Sequence, residues 1–123
     1  MSYTHTQCFA HFGITPTNTQ WSWSGRRDGL VVYTFMAHCF GNFGKYEQQF
    51  SASDLKKPGY RELVRNIAYA LEHCRGEVAV IMAIPENRNA DPITIRECWP
   101  VDWKMKITHF NKDTGELRAE RAA

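Results

Sequence analysis

One segment limits the folds open to this chain more than any other. Pro58 opens a run in which Tyr60, Leu63, Val64, Ile67, Ala68, Leu71 and Cys74 recur at helical spacing, and Gly76 stops it. Glu77 to Ile84 (EVAVIMAI) follows at once and is apolar on both faces. An amphipathic helix at 58–75 that leads directly into such a strand requires a sheet covered on both sides. The helix is expected to lay its apolar stripe on that sheet and to turn Arg61, Glu62, Arg65 and Glu72 to water.

The flanking segments are read in the same way. Thr4-His5-Thr6-Gln7 has the form of a capping box, which predicts a short helix at 5–12 ending at Gly13. Gln20 to Ser24 reads as a short strand, Arg26-Arg27-Asp28-Gly29 as a turn, and Leu30 to Phe40 as a central strand. Gly41 to Gly44 breaks that strand and Tyr46 to Phe50 resumes it. Residues 85–92 form a polar loop. For 92–98 the signals conflict: Asp91-Pro92 suggests a helical turn, while Ile93, Thr94 and Ile95 suggest a strand. Trp103, Met105, Ile107 and His109 alternate with polar residues, and Glu116 to Glu120 returns after the Asn111–Gly115 loop. The expected fold class is α+β, in a single globular domain over 1–123. Its sheet would have five or six mainly antiparallel strands, strongly curled and barrel-like, packed with one long helix and one or two short ones.

Composition excludes several classes. Hydrophobic residues at 43% and charged residues at 23% are ordinary globular values. No run of about 18 apolar residues is present, so no membrane partner is expected. The first residues, MSYTHTQCFAHF, lack the charged and apolar regions of a signal peptide, so the expected location is cytoplasmic. The net charge of +2 is too small to imply a polyanion partner by itself. Cys8, Cys39, Cys74 and Cys98 are widely spaced and are expected to be reduced thiols, mostly buried.

The most distinctive stretch is Asn18 to Arg27, and residues 1–50 carry only five charged residues, Arg26, Arg27, Asp28, Lys45 and Glu47. On a strand, Trp21 and Trp23 would share one face while Ser22 and Ser24 share the other. Two indoles beside two guanidiniums suit a stacking platform for a planar group such as a nucleobase, with Tyr33 facing them across the hairpin. The simpler alternative makes both tryptophans core residues and Arg26-Arg27 a solvated turn. Arg26, Arg27, Lys56 and Lys57 are the candidate phosphate contacts; equally, the lysines belong to an ordinary soluble face.

Signals for chemistry are poor. His5, Cys8 and His11 lie at i, i+3 and i+6, which spreads them over about 120° of a helix, whereas zinc-binding helices favour an i, i+4 pair. Cys39 with His109, or Cys8 with His73, would make a nucleophile and base only if the fold joined them. Asp102 with Lys104 and Asp54 with Lys56 resemble fragments of a nuclease pattern. No phosphate loop, nucleophile elbow or His-Glu-x-x-His is present, so neither metal, cofactor nor catalytic residue is assigned.

On Asn18-x-x-Trp21-Ser22-Trp23, Glu72-His73-Cys74-x-Gly76 and Thr114-Gly115-Glu116-Leu117-Arg118-Ala119-Glu120, the chain resembles a group of small, mostly uncharacterised bacterial proteins found on mobile or phage-like DNA. A wider likeness, of architecture, is to the pseudouridine-synthase-and-archaeosine-transglycosylase (PUA-like) barrels, on the strand count and the tryptophan pair. That likeness implies an aromatic-lined pocket that holds a base. The preferred expectation is therefore a small binding module for a planar ligand, a nucleobase in nucleic acid or a nucleotide-like small molecule. Residues Trp21, Trp23, Tyr33, Ser22 and Ser24 would line its pocket. The alternative is a homodimeric interaction module without catalytic activity, using Phe40, Phe43 and Tyr46 against its partner.

Overall fold

A computed structural model of the chain describes residues 3–18, 22–87, 89 and 94–122. Helix α1 (His5–His11) starts as the capping box predicts: Gln7 N donates to Thr4 Oγ1 at 3.1 Å and Thr4 N to Gln7 Oε1 at 2.9 Å. Strands β1 (Ser24–Arg27) and β2 (Leu30–Met36) form a hairpin around Asp28-Gly29. Strand β3 (Lys45–Gln49) precedes helix α2 (Pro58–His73), and β4 (Glu77–Pro85), β5 (Ile95–Asn111) and β6 (Glu116–Arg121) complete the chain. The long helix and the strand behind it stand where their periodicity placed them.

Six strands lie in one mixed sheet in the order β1-β2-β4-β5-β6-β3. Neighbours are antiparallel except β2 and β4, which run parallel with Tyr33 opposite Val80. A parallel pair needs a long crossover, and β3 with α2 supplies it. Successive residues of a strand face opposite ways, so β4 sends Val78 and Val80 to one side and Ala79, Ile81 and Ala83 to the other. Leu63, Ile67 and Ala70 of α2 cover the first face; Cys8 and Phe9 of α1, with Ile14, cover the second. Both faces are covered, as the doubly apolar strand requires.

The barrel-like curl is corrected. The sheet is open, with β1 and β3 as its edges, and the pairing of β3 with the chain beyond β2 is an isolated bridge between Phe40 and Tyr46 that closes no barrel. A barrel fills its interior with its own strands' side chains; here helices on both faces supply those layers. Three local expectations also change. The predicted 26–29 turn shrinks to two residues, which leaves Arg26 and Arg27 in the ladder opposite Val31 and Leu30; of the predicted 20–24 strand, residues 20 and 21 lie outside those described and Ser24 opens β1. The predicted 30–40 strand ends at Met36, whose amide donates to the Tyr46 hydroxyl at 3.0 Å, and 37–39 form a 3-10 turn. The undecided 92–98 segment is strand from Ile95, where Cys98 pairs with Ala83; residues 91–93 lie outside those described. Within β5, the register shifts where Pro100, which has no amide proton, meets Ile81.

Candidate functional site

The residues singled out by sequence scatter over three environments. Trp21 lies outside the described residues. Trp23 is half-buried and stacks on Phe50 with ring centroids 5.7 Å apart and planes 10° from parallel. Its carbonyl accepts the Thr34 amide of β2 at 3.0 Å, one position before β1 begins. Trp23 and Ser24 both turn toward the α2 face, Trp23 onto its core and Ser24 to Asn66. Tyr33 is 2% exposed and its hydroxyl donates to Gln48 Oε1 at 2.7 Å; burial pushes its pKa well above the ordinary value. Ser22 is buried and its Oγ accepts the Asn18 amide at 3.0 Å. Ser24, fully buried, accepts from Asn66 Nδ2 at 2.8 Å.

The four basic residues do not form one track. Adjacent strand positions point apart, so Arg26 lies over the Tyr69 ring of α2 at 4.6 Å while Arg27 Nε donates to the Phe12 carbonyl near α1 at 2.9 Å. Lys56 and Lys57 sit before α2, with Lys57 paired to Asp54 at 2.8 Å. At about 1.5 Å of rise per residue, Tyr69 lies roughly 18 Å farther along that helix from Lys57.

What does converge is a polar cavity that the sequence did not announce. Thr15, Thr17, Gly25, Arg26, Glu62, Arg65 and Asn66 line about 240 Å³ between the 14–17 loop, β1 and α2. Arg26 also borders a neighbouring depression of about 310 Å³ with Arg27, Asp28 and Tyr69. Glu62, Arg65 and Asn66 stand at i, i+3 and i+4, so they share one side of α2. Glu62 was expected in water. It is instead only 7% exposed, because β1 and the 14–17 loop pack over that side of the helix. Its Oε1 is buried and has no hydrogen-bond partner. No ion pair to its carboxylate forms among the described residues. A buried acceptor left unmet costs about 1–3 kcal/mol. The signal available in the sequence was spacing: 62 and 66 fall on the 59, 63, 67, 70 stripe, where a Glu and an Asn interrupt apolar residues.

Other titratable groups are engaged elsewhere. His5 Nε2 is hydrogen-bonded to Thr34 Oγ1 at 2.7 Å, and burial lowers its pKa to about 4. The Cys8 thiol donates to Cys98 Sγ at 3.4 Å; burial, then the Cys98 neighbour, pushes its pKa up to about 12. Cys8 and His73 serve opposite faces of the sheet, Cys8 in the α1 core and His73 against Tyr69 of α2. His109 faces Glu116 at 2.9 Å, and Cys39 lies in the 3-10 turn after β2. Among the described residues no three His, Cys, Asp or Glu side chains gather as a metal site would need. No helix of the described residues is long and apolar enough to cross a membrane.

Comparison with known proteins gives no match: no family model, no curated protein and no solved structure is similar to this chain. The likenesses to mobile-DNA proteins and to PUA-like barrels therefore gain no support from that side.

Proposed function

We propose that the protein is a small cytoplasmic binding module that holds a nucleobase, carried by a nucleotide or a nucleic-acid strand, in the cavity between β1 and α2. The observation that carries this reading is Glu62, which lines an open polar cavity and keeps one carboxylate oxygen, Oε1, buried at its edge without a donor. A ligand that brings N–H groups removes the desolvation cost that the free protein bears. The volume of about 240 Å³ is below the ~300–1,000 Å³ of sites that enclose drug-sized ligands, so it suits one planar ring system with its remainder outside. Exposed Arg26 and Arg65 at the cavity are the cations for a phosphate on that remainder. This moves the phosphate contacts from the expected quartet to Arg26 with Arg65. It also replaces an aromatic pocket by a polar one, bordered on one side by Ser24 through Asn66.

Isothermal titration calorimetry with nucleoside monophosphates and a short mixed-sequence single strand tests the reading. Arg65→Ala is expected to weaken binding and flatten its salt dependence, with the melting temperature unchanged. Failure of every nucleotide and of the strand to bind the parent protein at millimolar concentration would reject the reading. The interaction-module alternative keeps one observation, Phe43, which is 96% exposed; Phe40 and Tyr46 are drawn into the core beside Phe35. One ring is far less than the ~800 Å² per partner of a stable interface. A monomer by light scattering at high micromolar concentration would set self-association aside.

A further inference from the structure

We infer that Cys8 and Cys98 are a reversible redox pair, in which hydrogen peroxide closes a disulfide that staples α1 to β5 and a thiol reductant reopens it. Two sulfurs from distant parts of the chain are in contact: Cys8 Sγ lies 3.4 Å from Cys98 Sγ, with the residues 90 positions apart. A disulfide needs about 2.05 Å, so the sulfurs must close by roughly 1.4 Å. Shared between two side chains, that is a rotation of about 25° around each Cα–Cβ bond, within one rotamer well. The pairing is selective. Cys39 and Cys74 pack against the α2 face of the sheet, whereas Cys8 and Cys98 belong to the α1 face. Strand β5 holds Cys98 opposite Ala83, and the Tyr3 carbonyl accepts from its thiol at 3.5 Å.

The chemistry balances on these two side chains. One sulfur, as thiolate, attacks peroxide: an S–O bond forms, the O–O bond breaks, and the leaving hydroxide takes up the proton that the thiol gave, as water. The second thiol then attacks the sulfenic sulfur; the S–S bond forms, the S–O bond breaks, and the oxygen leaves with the second proton as another water. Two electrons pass from the sulfurs to the peroxide, and a thiol reductant returns them by exchange. Access sets the pace. Cys8 is fully buried and Cys98 is 4% exposed, and burial keeps both thiols protonated, so the closed protein reacts slowly. Helix α1 has only seven residues, too few to persist as a helix by itself, so it opens locally while the sheet stays folded. Each opening admits peroxide, and the bond, once made, ends the openings. The loop that carries Thr15 and Thr17 to the cavity continues from α1, so the staple holds that wall as well. In a reducing compartment the pair rests as thiols, where a transient disulfide is characteristic of redox sensing.

Peptide mapping of the full chain is the test. The reduced protein is treated with hydrogen peroxide in its native state, alkylated in denaturant and cut with trypsin. That digestion leaves the four cysteines on separate peptides, 1–26, 28–45, 66–75 and 97–104. The expected product is 1–26 joined to 97–104, with Cys39 and Cys74 alkylated. Closing so long a chain loop is expected to raise the melting temperature by roughly 10 °C, which dithiothreitol reverses, and to slow amide exchange in α1. Cys98→Ala is expected to show no such rise after the same treatment. Full alkylation of Cys8 and Cys98 after prolonged peroxide exposure overturns the proposal. So does their conversion to sulfinic acids without a cross-link, or a cross-link through Cys39 or Cys74 instead. A Cys8–Cys98 bond that leaves the melting temperature unchanged or lower overturns the staple. The mapping needs no variant to fold.

Discussion

A buried carboxylate oxygen without a donor destabilises the chain that carries it, and Glu62 Oε1 is such an atom. Removing its charge is therefore expected to stabilise the free protein even as it weakens the site. Glu62→Gln should gain about 1 kcal/mol, roughly a 4 °C rise in Tm for a domain of this size. A melting point several degrees below the parent would mean that the carboxylate has a structural partner after all. Residues kept at a cost in stability are the ones a binding function explains. His5 carries the opposite dependence on conditions. Its pKa falls from 6.5 to about 4 on folding, because burial beside Phe9 disfavours the charged ring. The unfolded chain thus binds the extra proton between those values. Stability is complete above pH 6.5 and declines as the pH falls toward 4, by on the order of 3 kcal/mol. Chemical denaturation of the parent and of His5→Gln across that range would show it; parallel pH profiles for the two would contradict the assignment. Neither behaviour was legible beforehand, since a Glu among Arg61 and Arg65 reads as a solvated face until something covers it.

At the scale of elements, β1 is the piece that makes the site. It carries four residues and sends Ser24 and Arg26 toward α2, and Gly25 and Arg27 toward α1. Gly25 is required by what lies above it: a Cβ there would meet Ile14 Cγ2 at 2.7 Å and Phe9 Cε1 at 3.2 Å. Gly25→Ala must push Ile14 aside, and a loss of about 1–3 kcal/mol is expected on thermal or denaturant melting. An unchanged midpoint would show that the loop after α1 yields freely. The far end of the strand, where the sequence placed a turn, lies three residues later for a physical reason. Gln20 to Ser24 has the residue types of a strand, but pairing is decided by the turn. With Asp28-Gly29 as a two-residue connection, the register Arg27–Leu30, Arg26–Val31 and Gly25–Val32 follows directly. Helix α2, by contrast, has both ends marked by residue type, Pro58 at its start and Arg75-Gly76 at positive φ beyond its end.

Over the whole molecule, the sheet joins distant parts of the chain. Strand β3 pairs with β6 about seventy residues later, Tyr46 opposite Ala119, and β2 pairs with β4 across the α2 crossover. Strand β4 lies between two neighbours and beneath a helix layer on each face, whereas β1 and β3 are edges. Amide hydrogen exchange is accordingly expected to be slowest in β4, at Val80 and Ile81, and to require global unfolding there. Faster exchange should mark β1 and β3. Protection of β1 equal to that of β4 would argue that a further element covers the β1 edge. The amino-acid sequence by itself determined what depends on neighbours along the chain: the Thr4–Gln7 cap, the limits of α2, the two apolar faces of β4 and the α+β class. These arise from backbone preferences and side-chain periods a few residues long. Only the tertiary structure decided that the sheet stays open, that Tyr33 enters the core, and that Glu62 is mostly covered at the edge of the cavity with its Oε1 buried and unmet. Burial of a given side chain is set by which remote segment packs upon it, and that choice is made by the free energy of the whole assembled sheet and its helices.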